Sequence, residues 1–447
     1  VEPRPALSSH LDVDVAIVGG GFTGLWTARE LKRRDPALRI AVLEQAVCGF
    51  GASGRNGGWA SSFYPLSDEA IVARHGHDSF RHLRRVLQEG VTRLGAAMAD
   101  DGIDGDFIQG GTLNFARSDI QAERLRRHVQ ESRELGYREE DLRWLDESEA
   151  NQRAVVTGTR GASYSPHCAR LHPAKLVRGL AQVNERLGVD IFENTKITRI
   201  VGATGRRPAQ VVSPSANVHA RYVVRATEGF TPSLPGARRS VAPLYSLMIA
   251  TSPQSQSFWD QVGLSGHETF SDERHLIIYG QRTRDNRFAF GGRGAPYHFG
   301  SAVEPRFDSN AKVFALLEAT LRELFPLLEG TVTHRWGGPL AMARDQSPSV
   351  LVDHASGLAS AGGYTGDGVV MTHVAATALA DLICTPETPS DYSVLPFVQH
   401  RSKRWEVEPF RWLGINAALS AADRADRAEA KGKSEGASSR LLARLMN

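Results

Sequence analysis

Apolar residues run unbroken from Val15 to Val18, break into glycines at Gly19, Gly21 and Gly24, and resume as a helical pattern over Leu25–Leu31. A second apolar run, 40–43, ends in the acid Glu44. This predicts strand, helix and strand, since continuous apolar runs mark strands covered on both faces. Residues 67–100 and 118–150, rich in Arg, Glu and Leu, predict helices on either side of the short apolar segment 111–115. Pro173 stands in the first turn of a helix running to about Gly188. The runs 189–192, 196–201 and 222–226 predict strands. Between 236 and 334 the pattern alternates, at 246–251, 275–279 and 287–290, which predicts an antiparallel sheet, with a helix near 311–325 after it. The glycine-rich stretch 360–370 then opens a helix from Met371 to Ile383, and residues from about Ala421 read as a fraying helix or a disordered tail.

The first three elements form a βαβ unit in which each conspicuous residue has a physical task. Gly19 permits a tight turn, Gly21 lets a pyrophosphate approach the backbone, and Gly24 lets the helix lie close on the sheet. The helix N-terminus offers unpaired N–H groups and a partial positive charge. Glu44 stands where a carboxylate accepts hydrogen bonds from both ribose hydroxyls of an adenosine, and it would repel a 2′-phosphate, which argues against NADP. The nucleotide-type segments are separated in sequence, with a substrate domain inserted in pieces. That interleaving argues for a flavin dinucleotide reaching an interdomain cleft. The expected fold is α/β (α+β overall): a Rossmann-like domain from 10–75, 155–235 and 335–420, a substrate domain on an antiparallel sheet from 76–154 and 236–334, and a tail from 421 to 447.

At 447 residues the chain has room for two or three domains. Its 53 Lys and Arg balance 50 Asp and Glu without a basic stripe, which argues against nucleic acid. No apolar stretch reaches a membrane span, and Val1-Glu-Pro-Arg-Pro5 has no signal-peptide core. The scattered Cys48, Cys168 and Cys384 make neither a disulfide framework nor a metal cluster, so a reduced, cytoplasmic setting and no metal are expected.

Four stretches together carry a family resemblance: Gly19–Glu44, Gly51-Ala-Ser-Gly-Arg-Asn-Gly-Gly58, Val223–Phe230 and Gly363-Tyr-Thr-Gly-Asp-Gly-Val-Val370. Over roughly residues 10–420 the chain resembles the FAD-dependent amine and amino-acid oxidases of the D-amino-acid oxidase, glycine oxidase and sarcosine oxidase group, and within it the gamma-glutamylputrescine oxidases. The resemblance implies that FAD is held by Gly19, Gly21, Phe22, Thr23, Gly24, Glu44 and Gln45. It adds Gly51, Ala52, Ser53, Arg55, Asn56, Gly57 and Gly58 along the diphosphate and ring. It adds Ile197, Ala226 and Thr227, then Gly363, Gly366, Asp367, Gly368, Val369 and Val370 beside the flavin pyrimidine. Asp367 either caps the last helix or serves the substrate, the cap being preferred.

Sarcosine-type relatives carry a lysine near Val370 that grips a substrate carboxylate, so the valine here points to an amine without one. The segment 336–342 has no cysteine and the Arg55 loop no histidine for covalent attachment, so non-covalent FAD is expected. The implied reaction is hydride transfer from the carbon bearing nitrogen to flavin N5, imine hydrolysis in water, and reoxidation by O2 to H2O2. Its substrate is a small primary or secondary amine, with polyamine derivatives among the candidates. Trp59 and Tyr364 are the leading pocket aromatics, ahead of Tyr64, Tyr245, Tyr279 and Trp336. Arg282 either assists oxygen reduction or is a sheet-surface arginine. Glu228 either favours a cationic substrate or pairs with an arginine. Alternatives are an amino-acid oxidase with a cationic clamp such as Arg282 or Arg293, a dehydrogenase using another acceptor, and a flavin-binding sensor. Oligomeric state is not readable from the sequence.

Overall fold

The computed structural model describes residues 2–292, 294 and 296–432. The strand Leu11–Val18 lies inside a sheet ordered Ser349–Asp353, Leu358–Gly362, Asn217–Arg225, Leu11–Val18, Ile40–Leu43 and Asp190–Phe192. All neighbours in that row run parallel except the antiparallel edge strand Ser349–Asp353. Val15 and Ile17 point into one buried cluster and Ala16 and Val18 into another, which is why the apolar run is continuous. The helices Phe22–Arg34, Pro173–Arg186 and Gly368–Cys384 cover the first face. Ala209–Val212, not foreseen from the sequence, joins the same sheet antiparallel to the start of Asn217–Arg225 and pairs in turn with Arg199–Val201, with Ala209 and Val211 packed in the second cluster.

A second eight-stranded sheet runs in the order Val332–Met342, Ala242–Thr251, Phe288–Gly292, Ile278–Arg282, Thr269–Asp272, Thr112–Ala116, Gly161–Ser165 and Arg143–Leu145. It is antiparallel except where Thr269–Asp272 joins Thr112–Ala116 in parallel. Its alternation has a physical reading. Leu113, Phe115, Leu247, Phe288 and Phe290 face an aromatic-rich core covered by the helices Gln256–Val262 and Ala311–Leu324. Thr112, Asn114 and Ser246 face a large cavity on the other side.

The chain departs from the expected elements in three places. The helix expected over 118–150 ends at Glu134, where Gly136 at φ +101° turns the chain. A strand at Arg143–Leu145 and a new helix, Glu147–Arg153, follow, the helix started by a capping box between Asp146 and Glu149. The sheets also cross the expected domain divisions: Gly161–Ser165 belongs to the second sheet, Val332–Met342 runs across 335 within it, and the helix Asp68–Asp100 packs into the nucleotide-side core. Finally, Phe410–Glu429 is a helix with Ala421, Ala422 and Ala425 buried, so the expected tail is helical to Glu429, while 433–447 lies outside the described residues.

Candidate cofactor and substrate cavity

A cavity of about 920 Å³ opens between the two sheets. It lies near the top of the range that ligand pockets occupy, roughly 300–1,000 Å³. At one end it is lined by the first βαβ unit: Gly19, Gly21, Phe22, Thr23, Glu44 and Gln45. Gly19 sits at φ +115°, and a Cβ there would fall 2.4 Å from the carbonyl oxygen of Ala226, so the hollow beside it exists only because it is glycine. Gly24 does not line the cavity. A Cβ on it would lie 2.0 Å from the Gly19 carbonyl oxygen, and its task is to let the helix Phe22–Arg34 close onto the turn. The Glu44 carboxylate accepts the N–H groups of Gly20 (2.8 Å) and Ala46 (2.9 Å), which aims it along the cavity wall. Burial raises its pKa, and the two backbone donors oppose that rise.

The loop after it contributes Gly51, Ala52, Ser53, Arg55, Asn56 and Gly57 to the wall. Ser53 Oγ accepts the Phe22 N–H at 2.8 Å, so the hydroxyl already sits at the helix start. Asn56 stitches the loop: its Nδ2 donates to the carbonyls of Ala52 (3.2 Å) and Ser53 (2.9 Å), and its Oδ1 accepts the Gly58 N–H (2.8 Å). Gly58 itself is off the wall. Arg55 is committed elsewhere, donating to Asp308 (2.6 Å) and to the Gly337 carbonyl (2.9 Å). Ile197, Ala226 and Thr227 line the wall as well.

Gly366, Asp367, Gly368 and Val369 bring the start of the helix Gly368–Cys384 to the cavity. Asp367 holds the N-cap position without a side-chain cap hydrogen bond, contrary to the preferred capping role. The first-turn N–H groups of this helix, which have no intrahelical acceptors, front the cavity. Gly363 stands behind the wall, donating its N–H to Glu228 Oε2 at 3.0 Å. Glu228 does line the cavity, and burial pushes its pKa up to about 7 against the pull of backbone donors and Arg225. Val370 corrects an expectation. It is 0 % exposed and packed toward Gly90 of the helix Asp68–Asp100, so its side chain does not reach the cavity and says nothing about a substrate carboxylate.

Of the leading reactive candidates, Trp59 and Tyr364 line the cavity. Trp59 donates to the Gly280 carbonyl (3.3 Å) and meets Tyr279 edge-on. The Tyr364 hydroxyl is hydrogen-bonded with Thr23 Oγ1 (3.1 Å), tying the two helix starts together, and burial raises its pKa. Arg282 is a second correction. It is off the cavity, its guanidinium over the Trp259 ring at 4.5 Å and bonded to Asn286 Oδ1 at 3.0 and 2.8 Å, because alternation on its strand turns it to the core face. Tyr64 and Tyr279 are on the wall; Tyr245 and Trp336 are not. Arg293 lies outside the described residues.

The far end of the cavity holds residues that sequence reading missed, among them Arg84, Arg124, His128, Glu273 and His275. The helical spacing of 67–100 and 118–150 shows which positions face apolar neighbours. It carries no sign that one face fronts a cavity. Among the described residues no cluster of metal-ligand side chains occurs, and no helix is long and apolar enough to cross a membrane.

A parallel nucleotide sheet and an antiparallel sheet sharing one long cavity, with two helix N-termini turned into it, define a flavin-dependent oxidoreductase. The chain matches the family model "DAO: FAD dependent oxidoreductase" over residues 14–382. It belongs to that family, the amine and amino-acid oxidases, and its cofactor is FAD. The glycine hollow beside Ala226, the uncapped helix start at Gly368 and the Glu44 carboxylate fit that dinucleotide. Among its relatives are Gamma-glutamylputrescine oxidoreductase of Escherichia coli (strain K12), 29% identical over 388 residues, covering 85% of this chain and 86% of that protein. Another is Probable oxidoreductase OrdL of Haemophilus influenzae, 27% identical over 392 residues, covering 85% and 84%. The fold matches the crystal structure of glycine oxidase from Geobacillus kaustophilus with a TM-score of 0.72 at 22% identity, over 87% of this chain and 99% of that one.

Proposed function

We propose that the chain oxidises a primary or secondary amine that has no carboxylate on its reacting carbon, polyamine derivatives being the leading class, with O2 as electron acceptor. One observation carries this reading. Among the described residues, every arginine on the cavity wall already holds a carboxylate: Arg55 with Asp308, Arg84 with Asp68, Arg124 with Glu273 and Glu429, and Arg274 with Asp272. No lysine lines the cavity, so a substrate carboxylate would find only cations already paired. Glu228, in contrast, faces the cavity with backbone N–H donors as its hydrogen-bond partners, and a cationic amine beside it would favour release of the proton that burial holds to about pH 7. The name of the Escherichia coli relative, a gamma-glutamylputrescine oxidoreductase, points to the same substrate class.

When bound, FAD would supply the two-electron chemistry, taking a hydride from the amine α-carbon and, with two protons, reducing O2 to H2O2. The chain positions and insulates. Gly19, Gly21, Ser53 and the start of the helix Phe22–Arg34 receive the diphosphate, and Glu44 the adenosine ribose. The N–H groups of Gly368, Val369 and Val370 stabilise negative charge at the pyrimidine edge. In this reading attachment is non-covalent: no cysteine is among the described residues lining the cavity, and the Arg55 loop carries no histidine. Trp59 and Tyr279 present aromatic surface to the amine, an attraction worth roughly 0.5–2 kcal/mol for a cation. The imine leaves and is hydrolysed in water to a carbonyl and an amine or ammonia. Anaerobic mixing of the yellow protein with amines and matched α-amino acids tests the reading: amines bleach the flavin band, and admitting air restores it with one H2O2 per turnover. Faster bleaching by amino acids would overturn the substrate class, and restoration without peroxide the acceptor.

A further inference from the structure

The helix Phe410–Glu429 lies beyond residues 14–382, the span matched by the family, yet its last turn holds side chains that line the cavity. Glu429, only 4% exposed, accepts from Arg124 Nη1 at 2.8 Å and is bonded to His275 Nε2 at 2.8 Å. One turn earlier, Asp426 accepts the backbone N–H groups of His275 (2.7 Å) and Leu276 (2.9 Å). Arg124, held at one end by Glu429, grips Glu273 with the other, at 3.1 Å through Nε. Arg124, Glu273 and His275 all line the cavity. Beside them the strands offer small polar groups to the same compartment: Ser271 donates to Asn114 Oδ1 (3.1 Å), and Asn114 Nδ2 donates to Glu273 (2.5 Å).

We propose that this helix is a working part of the substrate site: through Glu429 and Asp426 it fixes Arg124 and the segment 273–276 as the wall that receives a polar tail on the amine. This rests on the amine reading above and narrows it to elongated amines whose far end carries an amide or hydroxyl group, against plain alkyl amines. Glu429 is a positioning residue in this account, acting through Arg124 and His275. A polar wall that hydrogen-bonds a tail penalises an analogue whose apolar end displaces water from it without replacing those bonds. His275 is set between Glu429 and Asp426 of the helix, Arg124 of the facing helix, and Glu273 and Arg274 of its own segment. The hydrogen bond with Glu429 raises its pKa against burial and Arg124, while hydrogen bonds from His275 and Arg124 overcome burial to hold Glu429 at about 2. The pair is therefore charged below His275's raised pKa and weakens as pH climbs through it.

The test uses the FAD-loaded full chain, Glu429→Gln, His275→Gln and a chain ending at Ser420, with flavin content and Tm recorded for each. Amide hydrogen exchange reads the wall directly, and steady-state kinetics compare N-acetylputrescine with hexylamine, an amine of similar length. The parent is expected to favour N-acetylputrescine by about tenfold or more in kcat/KM, and the variants to lose most of that preference through KM rather than kcat. The parent's KM for N-acetylputrescine should rise as pH climbs through the raised pKa of His275, above the ordinary histidine value of about 6.5, and this inflection should vanish in His275→Gln. In the chain ending at Ser420, exchange at His275 and Leu276 should quicken by about tenfold or more. Unchanged exchange in that chain together with an unchanged amine ratio in Glu429→Gln would overturn the proposal. If no amine bleaches the flavin, the functional reading fails separately, and N-acetylputrescine perturbing the flavin spectrum of parent and Glu429→Gln equally would sink this one too.

Discussion

Glu228 is a carboxyl group whose fold makes it hold its proton to about pH 7, chiefly through burial. An unfolded glutamate releases its proton near 4.5, so between these values the folded chain binds more protons than the unfolded one. Stability must fall as pH rises across that window and stay low above it. In the FAD-free protein, Glu228→Gln should flatten the decline of Tm between pH 4.5 and 8 and match or exceed the parent above pH 7. A parent curve no steeper than the variant's, by differential scanning fluorimetry, would show that Glu228 ionises as an ordinary surface acid. Glu44 behaves differently because it is an acceptor for two backbone N–H groups. Glu44→Ala strands both, each unsatisfied group costing about 1–3 kcal/mol, so it should lose FAD on gel filtration and several degrees of Tm together. Glu44→Gln keeps an acceptor in place. It should weaken FAD retention with a smaller Tm loss, and full retention would remove the ribose assignment.

At the scale of elements, the glycine turn and the strands of the nucleotide sheet were legible because their causes are local. Four apolar residues in a row need two buried faces, and a turn against the Ala226 carbonyl needs a residue without a Cβ. Gly24→Ala would set a Cβ 2.0 Å from the Gly19 carbonyl oxygen and force the helix Phe22–Arg34 off the turn. The expected outcome is an apoprotein that stays colourless after incubation with excess FAD, measured by absorbance after desalting. Normal reconstitution would mean that the helix tolerates displacement. Other elements were illegible for equally physical reasons. The short strand Thr269–Asp272 owes its existence to Thr112–Ala116, more than 150 residues away, and Ala209–Val212 is too brief to show a pattern before its hairpin partner Asn217–Arg225 pairs with it. Arg282 was misplaced because a pattern of alternation names two faces without saying which one meets a ligand. The helix Phe410–Glu429 looked like a tail since its alanines and charges give a weak apolar stripe, and its anchoring comes from Arg124 and His275 across the molecule.

Across the whole molecule, the cavity is enclosed by segments drawn from nearly the full length of the chain, from Val18 to Thr372. The division into two kinds of sheet was readable, since continuous and alternating apolar patterns differ. The seam was not, because Gly161–Ser165 and Val332–Met342 carry the alternation of one sheet inside stretches that otherwise serve the other. The strand Leu358–Gly362 has a consequence of its own. It pairs with Asn217–Arg225, and the loop after it completes the cavity wall. A ribosome adding about 5–20 residues per second needs roughly 20–70 s to reach that strand. Throughout this interval the nascent polypeptide has the turn at Gly19 without the strand and loop that close the cavity wall, so the two ends of the berth meet only late in synthesis.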